Sequence, residues 1–158
     1  MKQEKLAVAG VLLLSAVTAL WMLSERTLED HECFVSVTAR EMLQSGDWIM
    51  PTCNGELRIN KPPLSYWLVC IGAKVTGKVD EFTARLPSAI FAFLSAAAIL
   101  YFVNQWLGCR TAVISTAVWA TSFAYIRCSH SARPDMAMAF FTTLCLLSFY
   151  SAATVVTR

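Results

Sequence analysis

Four stretches of this chain are too apolar, over too great a length, to belong to an ordinary water-soluble fold. Residues 6–24 carry no charged side chain and follow Lys2 and Lys5; residues 86–107 carry none either; residues 111–127 and 136–157 continue the pattern. About 20 apolar residues at 1.5 Å per residue cross a hydrocarbon core of ~30 Å. Hydrophobic residues make up 56% of the 158 and charged residues 15%, against roughly 25% charge in soluble domains. The expectation is an all-α integral membrane protein with about four transmembrane helices, at 6–24, 86–107, 111–127 and 136–157. Residues 6–24 also fit a secretory signal. The run is long for a signal core and no A-x-A site follows, so it reads as a retained first helix.

The same composition excludes other classes. Intrinsic disorder does not fit a chain this rich in Leu, Ala, Val and Phe. A net charge of +2 gives no basic surface for nucleic acid. The six cysteines form no CxxC pair and several lie in apolar runs, which speaks against a zinc site or a disulfide framework.

Residues 25–85 differ in kind. Thr27-Leu28-Glu29-Asp30 reads as a capping box. Phe34, Val35, Val37, Thr38, Met42 and Leu43 then recur at helical spacing up to Gly46, predicting an amphipathic helix lying in the membrane interface, with Trp48 as an interfacial anchor. Asn54-Gly55 predicts a tight hairpin. Lys61-Pro62-Pro63 predicts an extended stretch, because a residue before proline is pushed out of the helical region. Pro63 can then open a short second interfacial helix over residues 64–73, with Tyr66 and Trp67 at its head, closed by Gly77 and Lys78. Pro87 falls where a first helical turn tolerates proline, Gly108 ends that helix, and Cys109-Arg110 form a short loop.

Three polar groups carry possible chemistry. Glu29, Asp30, His31 and Glu32 sit just beyond the first span. They read either as capping acids at the positive end of a helix dipole or as a general base or metal ligand. Arg58 and Lys61 read either as cations snorkelling toward headgroups or as a phosphate clamp. Arg133 and Asp135 open the fourth span, as headgroup ligand and helix-terminal acid or as parts of a site. With four spans, all three groups face one side of the membrane. That convergence favours the functional readings.

Together these motifs resemble a known family. Residues 31–69, HECFVSVTAREMLQSGDWIMPTCNGELRINKPPLSYWLV, are followed at 81–102 by EFTARLPSAIFAFLSAAAILYF. This resembles the start of the lipid-linked-sugar glycosyltransferases, the dolichyl-phosphate-mannose protein mannosyltransferases and the bacterial aminoarabinose transferase that modifies lipid A. The family layout is an Asp-Glu pair, then ARExLxSGDWxxP, KPPLxYW and ARLPS. The resemblance covers only the N-terminal part of such enzymes, so this stretch alone is not expected to be active.

The resemblance implies the N-terminal part of a GT-C-type fold and a glycosyltransferase similar to the mannosyltransferase (GT39) class. Its donor would be a polyprenyl-phosphate sugar, and its acceptor a glycolipid such as lipid A or a protein, in contact with membrane lipids and without nucleic acid. Lys61 matches the lysine near the donor phosphate, with Arg58 beside it. Asp135 matches the second acidic position, and Arg133 and Tyr66 are further site candidates. The family's Asp-Glu pair falls on His31-Glu32, so the catalytic carboxylate is Glu32 by register or Asp30 by side-chain identity. A divalent metal is possible. Asn60 stands where some members carry Glu, which weakens a ligand there.

The implied topology is multi-pass in the cell (inner) membrane with a cytoplasmic N-terminus and an extracytoplasmic loop at 25–85. It leaves Lys2, Lys5, Arg110 and Arg158 inside and nine cations outside, against the usual bias. Anionic lipid phosphates at an outer site would call for those cations. The alternative function is a truncated, non-catalytic membrane module or a lipid-binding subunit.

Overall fold

The structure is a computed structural model and describes residues 2–156. Helix α1 (Lys2–Leu20) leads into α2 (Asp30–Ser45). The strands β1 (Thr52–Cys53) and β2 (Glu56–Leu57) follow, then α3 (Leu64–Thr76), α4 (Glu81–Leu107), α5 (Cys109–Thr121), α6 (Phe123–Ser129) and α7 (Asp135–Val156). Thr157, the expected end of the fourth span, lies outside the described residues. Among the described residues the protein is all-α but for one two-stranded hairpin. Three helices among the described residues, α1, α4 and α7, are long and apolar enough to cross a membrane.

The third expected span is divided. α5 has 13 residues, short of the ~20 a crossing needs. The chain breaks at Ser122, whose extended backbone and side-chain cap on the Tyr125 amide start α6. Cys109 and Arg110 are not a loop but the first residues of α5. Gly108, at φ 82°, makes the whole connection from α4.

α4 also starts earlier than its apolar run. Asp80 caps it, accepting from the Thr83 amide at 2.9 Å, so the helix begins at Glu81 and Pro87 lies inside it rather than in its first turn. Its buried face is built of small residues, with Ala84, Ser88, Ala92 and Ala96 one turn apart. Such a stripe lets neighbouring backbones approach closely, which drives helix association where no hydrophobic effect operates. Around it Ala19, Leu23, Ala120, Tyr125 and Met136 complete the main core. Two polar side chains inside this core are hydrogen-bonded: Trp119 Nε1 donates to Ser95 Oγ at 3.0 Å, and the Tyr125 hydroxyl donates to the Ser15 carbonyl at 3.0 Å.

The interfacial elements form a second core. Val35, Ala39 and Met42 of α2 pack on Tyr66, Val69 and Cys70 of α3. α2 ends at Gly46 and α3 at Gly77, both left-handed, the conformation that glycine adopts without a Cβ penalty. Asn54 and Gly55 both have positive φ, the signature of a type I′ hairpin turn. Glu41 of α2 anchors that turn. Its carboxylate accepts from Thr52 Oγ1 and the Asn54 amide, each at 2.6 Å.

The start of α2 differs from the expected Thr27 box. Glu29 is the N-cap and Glu32 the N3 residue, and the Glu29 amide donates to the Glu32 carboxylate at 2.9 Å. The carbonyls of Leu23, Arg26 and Thr27 accept from the Arg85 guanidinium at 2.7–3.1 Å. That side chain reaches in from α4 and holds the preceding turn out of the helix.

Candidate functional site

Two cavities adjoin at the turn before α7, the smaller against α2 and α3 and the larger against α4, α6 and the turn before α2. The smaller, of about 240 Å³, is lined by His31 and Val35 of α2, Arg58 and Lys61 from the stretch after the hairpin, Ser65 and Tyr66 in the first turn of α3, and Arg133, Pro134 and Asp135. The larger, of about 520 Å³, takes Arg26 and Glu29 from the turn before α2, Arg85 from α4, Arg127 and His130 near the end of α6, and apolar Met22, Phe123 and Ile126. Arg133 and Asp135 line both, so the two cavities meet at those side chains.

Local sequence explains how the smaller cavity is placed. Pro63 caps α3 without a side-chain hydrogen bond, and the first helical bond runs from the Trp67 amide to the Pro63 carbonyl. The first turn of α3 therefore keeps unpaired amides, the positive end of its dipole. The double proline sets Lys61 just ahead of that turn. Lys61 is exposed and forms no ion pair among the described residues. The Arg58 guanidinium stacks on Phe34, 4.1 Å from the ring centroid, which leaves its edge to point elsewhere. Arg58 Nε, Ser65 Oγ and Arg133 Nε are buried without any hydrogen-bond partner. Buried polar atoms in native structures nearly always find partners. Three orphaned atoms around one cavity, alongside Lys61, make a site that an anion would complete.

Six of the residues expected from sequence, His31, Arg58, Lys61, Tyr66, Arg133 and Asp135, come together in this cavity. Asp30 and Glu32 do not. Asp30 is exposed at the first position of α2 and lines neither cavity. Glu32 is fully buried. Its Oε1 accepts from Arg85 Nε at 3.0 Å and the Ala132 amide at 2.7 Å. Its Oε2 accepts from Arg85 Nη2 at 2.8 Å and the Glu29 amide at 2.9 Å. A carboxylate has about four acceptor positions, and all four are filled. Burial disfavours the charged form, but these donors outweigh it and hold the Glu32 carboxyl below its ordinary range.

Arg85 is equally saturated: its five N–H groups meet Glu32 and the three carbonyls of residues 23, 26 and 27. The pair ties α4, α2, the end of the first span and the turn at Ala132 into one frame around both cavities. Arg85 was part of the ARLPS motif but had no assigned role. The signal for one was a lone cation at the head of an apolar run, which needs a buried partner. Ser65 was missed as a site residue because nothing in its spacing shows which way it faces. Among the described residues, no three His, Cys, Asp or Glu side chains gather as a metal site.

Comparison with known proteins places this geometry. Residues 60–156, well over half of the chain, match the family model described as dolichyl-phosphate-mannose-protein mannosyltransferase. The chain belongs to that family. The match takes in Lys61, Arg85, Arg133 and Asp135. A protein of Aquifex aeolicus, described as uncharacterized, is 33% identical over 84% of this chain and 25% of its own length. The undecaprenyl phosphate-alpha-4-amino-4-deoxy-L-arabinose arabinosyl transferase of Edwardsiella ictaluri is 31% identical over 71% of this chain and 20% of its own length. The chain thus spans about a quarter or less of these two relatives.

Two crystal structures of ArnT from Cupriavidus metallidurans share the fold at 26% identity, covering 90% of this chain and 26% of that one. The TM-score is 0.78 for the apo state and 0.73 for the state bound to undecaprenyl phosphate. The chain therefore has the fold of the N-terminal part of a GT-C-type membrane glycosyltransferase.

Proposed function

We propose that this chain builds the donor site of a membrane glycosyltransferase that moves a sugar from a polyprenyl phosphate to an acceptor at the extracytoplasmic face. The observation that carries this is the small cavity, lined by Lys61 and by three residues, Arg58, Ser65 and Arg133, that each hold a buried polar atom without a partner. A phosphate suits such a place: charge-assisted hydrogen bonds from guanidinium and ammonium groups are the strong ones, and a helix N-terminus adds to them. The solved relative bound to undecaprenyl phosphate and the aminoarabinose transferases among the relatives support a polyprenyl-linked donor.

In this reading the donor phosphate lies against Lys61, Arg58 and the first turn of α3, with Tyr66 as one wall. The sugar then reaches the junction at Arg133 and Asp135, and the acceptor enters the larger cavity. An acceptor oxygen attacks the anomeric carbon as the carbon–phosphate-oxygen bond breaks. The electron pair leaves on the phosphate, where the cations offset the developing charge. The buried Glu32–Arg85 pair positions these parts. Asp30 serves as a solvated acid in the first turn of α2, where the helix dipole favours it.

The test is undecaprenyl phosphate binding and sugar release by the full-length protein in nanodiscs, with the aminoarabinose-linked lipid as donor. Saturable binding with turnover supports the enzyme. Binding without any turnover supports a lipid-binding module instead.

In this reading residues 25–85 and 127–135 lie outside and Cys109-Arg110, at the α4–α5 connection, lies in the cytoplasm, with the N-terminus inside. Cys53 and Cys109 are both free and partly exposed. An impermeant thiol reagent applied to intact cells should label Cys53 and spare Cys109. The reverse pattern would overturn the orientation.

A further inference from the structure

We propose that the groove between the ends of α1 and α6 holds one acyl chain of an anionic phospholipid, with the lipid's phosphate on Arg127. This site is separate from the donor cavity and does not depend on sugar transfer. The groove, of about 450 Å³, is lined by Val17, Thr18, Trp21, Ile126 and His130. Ile126 and His130 also line the larger cavity, so the groove opens into it. His130 Nε2 lies 2.8 Å from the Trp21 carbonyl, a hydrogen bond that joins the two walls and sets their spacing.

Polarity changes along this path in the order that a lipid requires. α1 is apolar enough to span a bilayer. Val17 and Thr18 belong to its last turn, Trp21 follows it, and Arg26 comes next on the wall of the larger cavity. Tryptophan favours the boundary between hydrocarbon and headgroups. A chain lying on Val17 and Thr18 therefore points into the bilayer while its head reaches the cations.

The charges select the head. Among the cations of the larger cavity, Arg26 pairs with Glu29 at 3.0 Å, Arg85 pairs with Glu32 at 2.8 Å, and Arg133 lies 3.8 Å from Glu29. Arg127 is exposed and pairs with no acid among the described residues. It follows Ile126 directly, so head and chain meet neighbouring positions of α6. One free guanidinium matches the single charge of a phosphodiester, to which it donates charge-assisted hydrogen bonds. A choline head would bring a further cation toward Arg26 and Arg133, which is why the lipid is anionic.

The experiment uses the full-length protein in phosphatidylcholine nanodiscs that carry a little phosphatidylglycerol with a diazirine on one acyl chain. After photolysis, peptide mass spectrometry should place the adducts on residues 17–21 and 126–130. The same chain on diacylglycerol, which has no phosphate, should label about tenfold less, and Arg127→Ala should lower the phosphatidylglycerol labelling about as much, the scale of one lost hydrogen bond to a charged group. Val17→Trp, at a side chain 45% exposed, should fill the groove and remove the adducts while the protein still folds. Undecaprenyl phosphate affinity should stay near wild type in both variants. Equal labelling by a phosphatidylcholine probe would overturn the proposal, as would labelling that neither variant changes. An unlabelled groove would do the same, since another segment of the full chain would then cover it. Labelling chased by undecaprenyl phosphate and lost in Lys61→Ala would give the groove to the donor's chain instead. A protein that labels as expected but shows no turnover removes the sugar-transfer reading and leaves this site standing.

Discussion

Lys61→Ala is expected to lower sugar transfer by about 10² to 10³, equivalent to roughly 2.7–4 kcal/mol of lost transition-state stabilisation, while the protein still folds. The asymmetry follows from where the side chain sits. Lys61 is exposed and pairs with no acid among the described residues, so removing it breaks no contact of the fold. The double proline behind it and the open first turn of α3 belong to the backbone and survive the change. What disappears is the compact cation that the proposed donor site sets beside the leaving phosphate. The measurements are kcat with a polyprenyl-linked donor, undecaprenyl phosphate affinity and the thermal midpoint of the purified variant. Near-wild-type turnover would leave Lys61 as a headgroup-snorkelling cation and would move the phosphate toward Arg58 and Arg133.

Lys61 shows what a sequence of this kind reveals. A Lys-Pro-Pro before an apolar helix restricts the local backbone through proline sterics, so the start of α3 just after it was legible without a structure. The amphipathic helix up to Gly46 and the Asn54-Gly55 turn were legible for the same reason, since both depend on residues close in sequence. Elements whose limits depend on distant residues were misread. The start of α2 shifted from Thr27 to Glu29 because Arg85, 59 residues beyond Arg26, takes the carbonyl oxygens there. α4 was read as its apolar run alone, although the Asp80 cap carries it one turn further over charged residues. The break at Ser122 within one apolar run has no strong sequence signal, since serine is tolerated inside membrane helices.

The site divides along the same line. That the first-loop acids, the Lys-Pro-Pro stretch and Arg133-Asp135 share a face was the expectation from four spans, and the structure brings members of all three groups to the two adjoining cavities. Which acid faces a cavity does not follow from counting spans. Motif register pointed to Glu32, and the fold gives that position to the buried frame. A match in register marks a residue the fold needs; only the direction of its side chain separates chemistry from architecture.

That frame gives the second large effect. Glu32→Gln should destabilise the protein by about 3–5 kcal/mol, because it leaves the Arg85 guanidinium buried without its counter-charge. Arg85→Lys should do nearly as much, since an ammonium has three donors and cannot serve the five bonds that the planar fork makes. The pair also predicts a pH dependence. The folded state holds the Glu32 carboxyl below its ordinary value of 4.5. A depressed folded value means that the unfolded chain binds the proton more readily. The stabilisation is therefore complete above the unfolded value and is lost as pH falls below it through the folded one. Thermal midpoints of the wild type should drop from about pH 5 downward, and Glu32→Gln should lack that contribution. A wild-type midpoint that stays level down to pH 3 would sink the assignment. So would a Glu32→Gln variant of unchanged midpoint whose turnover falls 100-fold or more, for then Glu32 would serve the chemistry and not the frame.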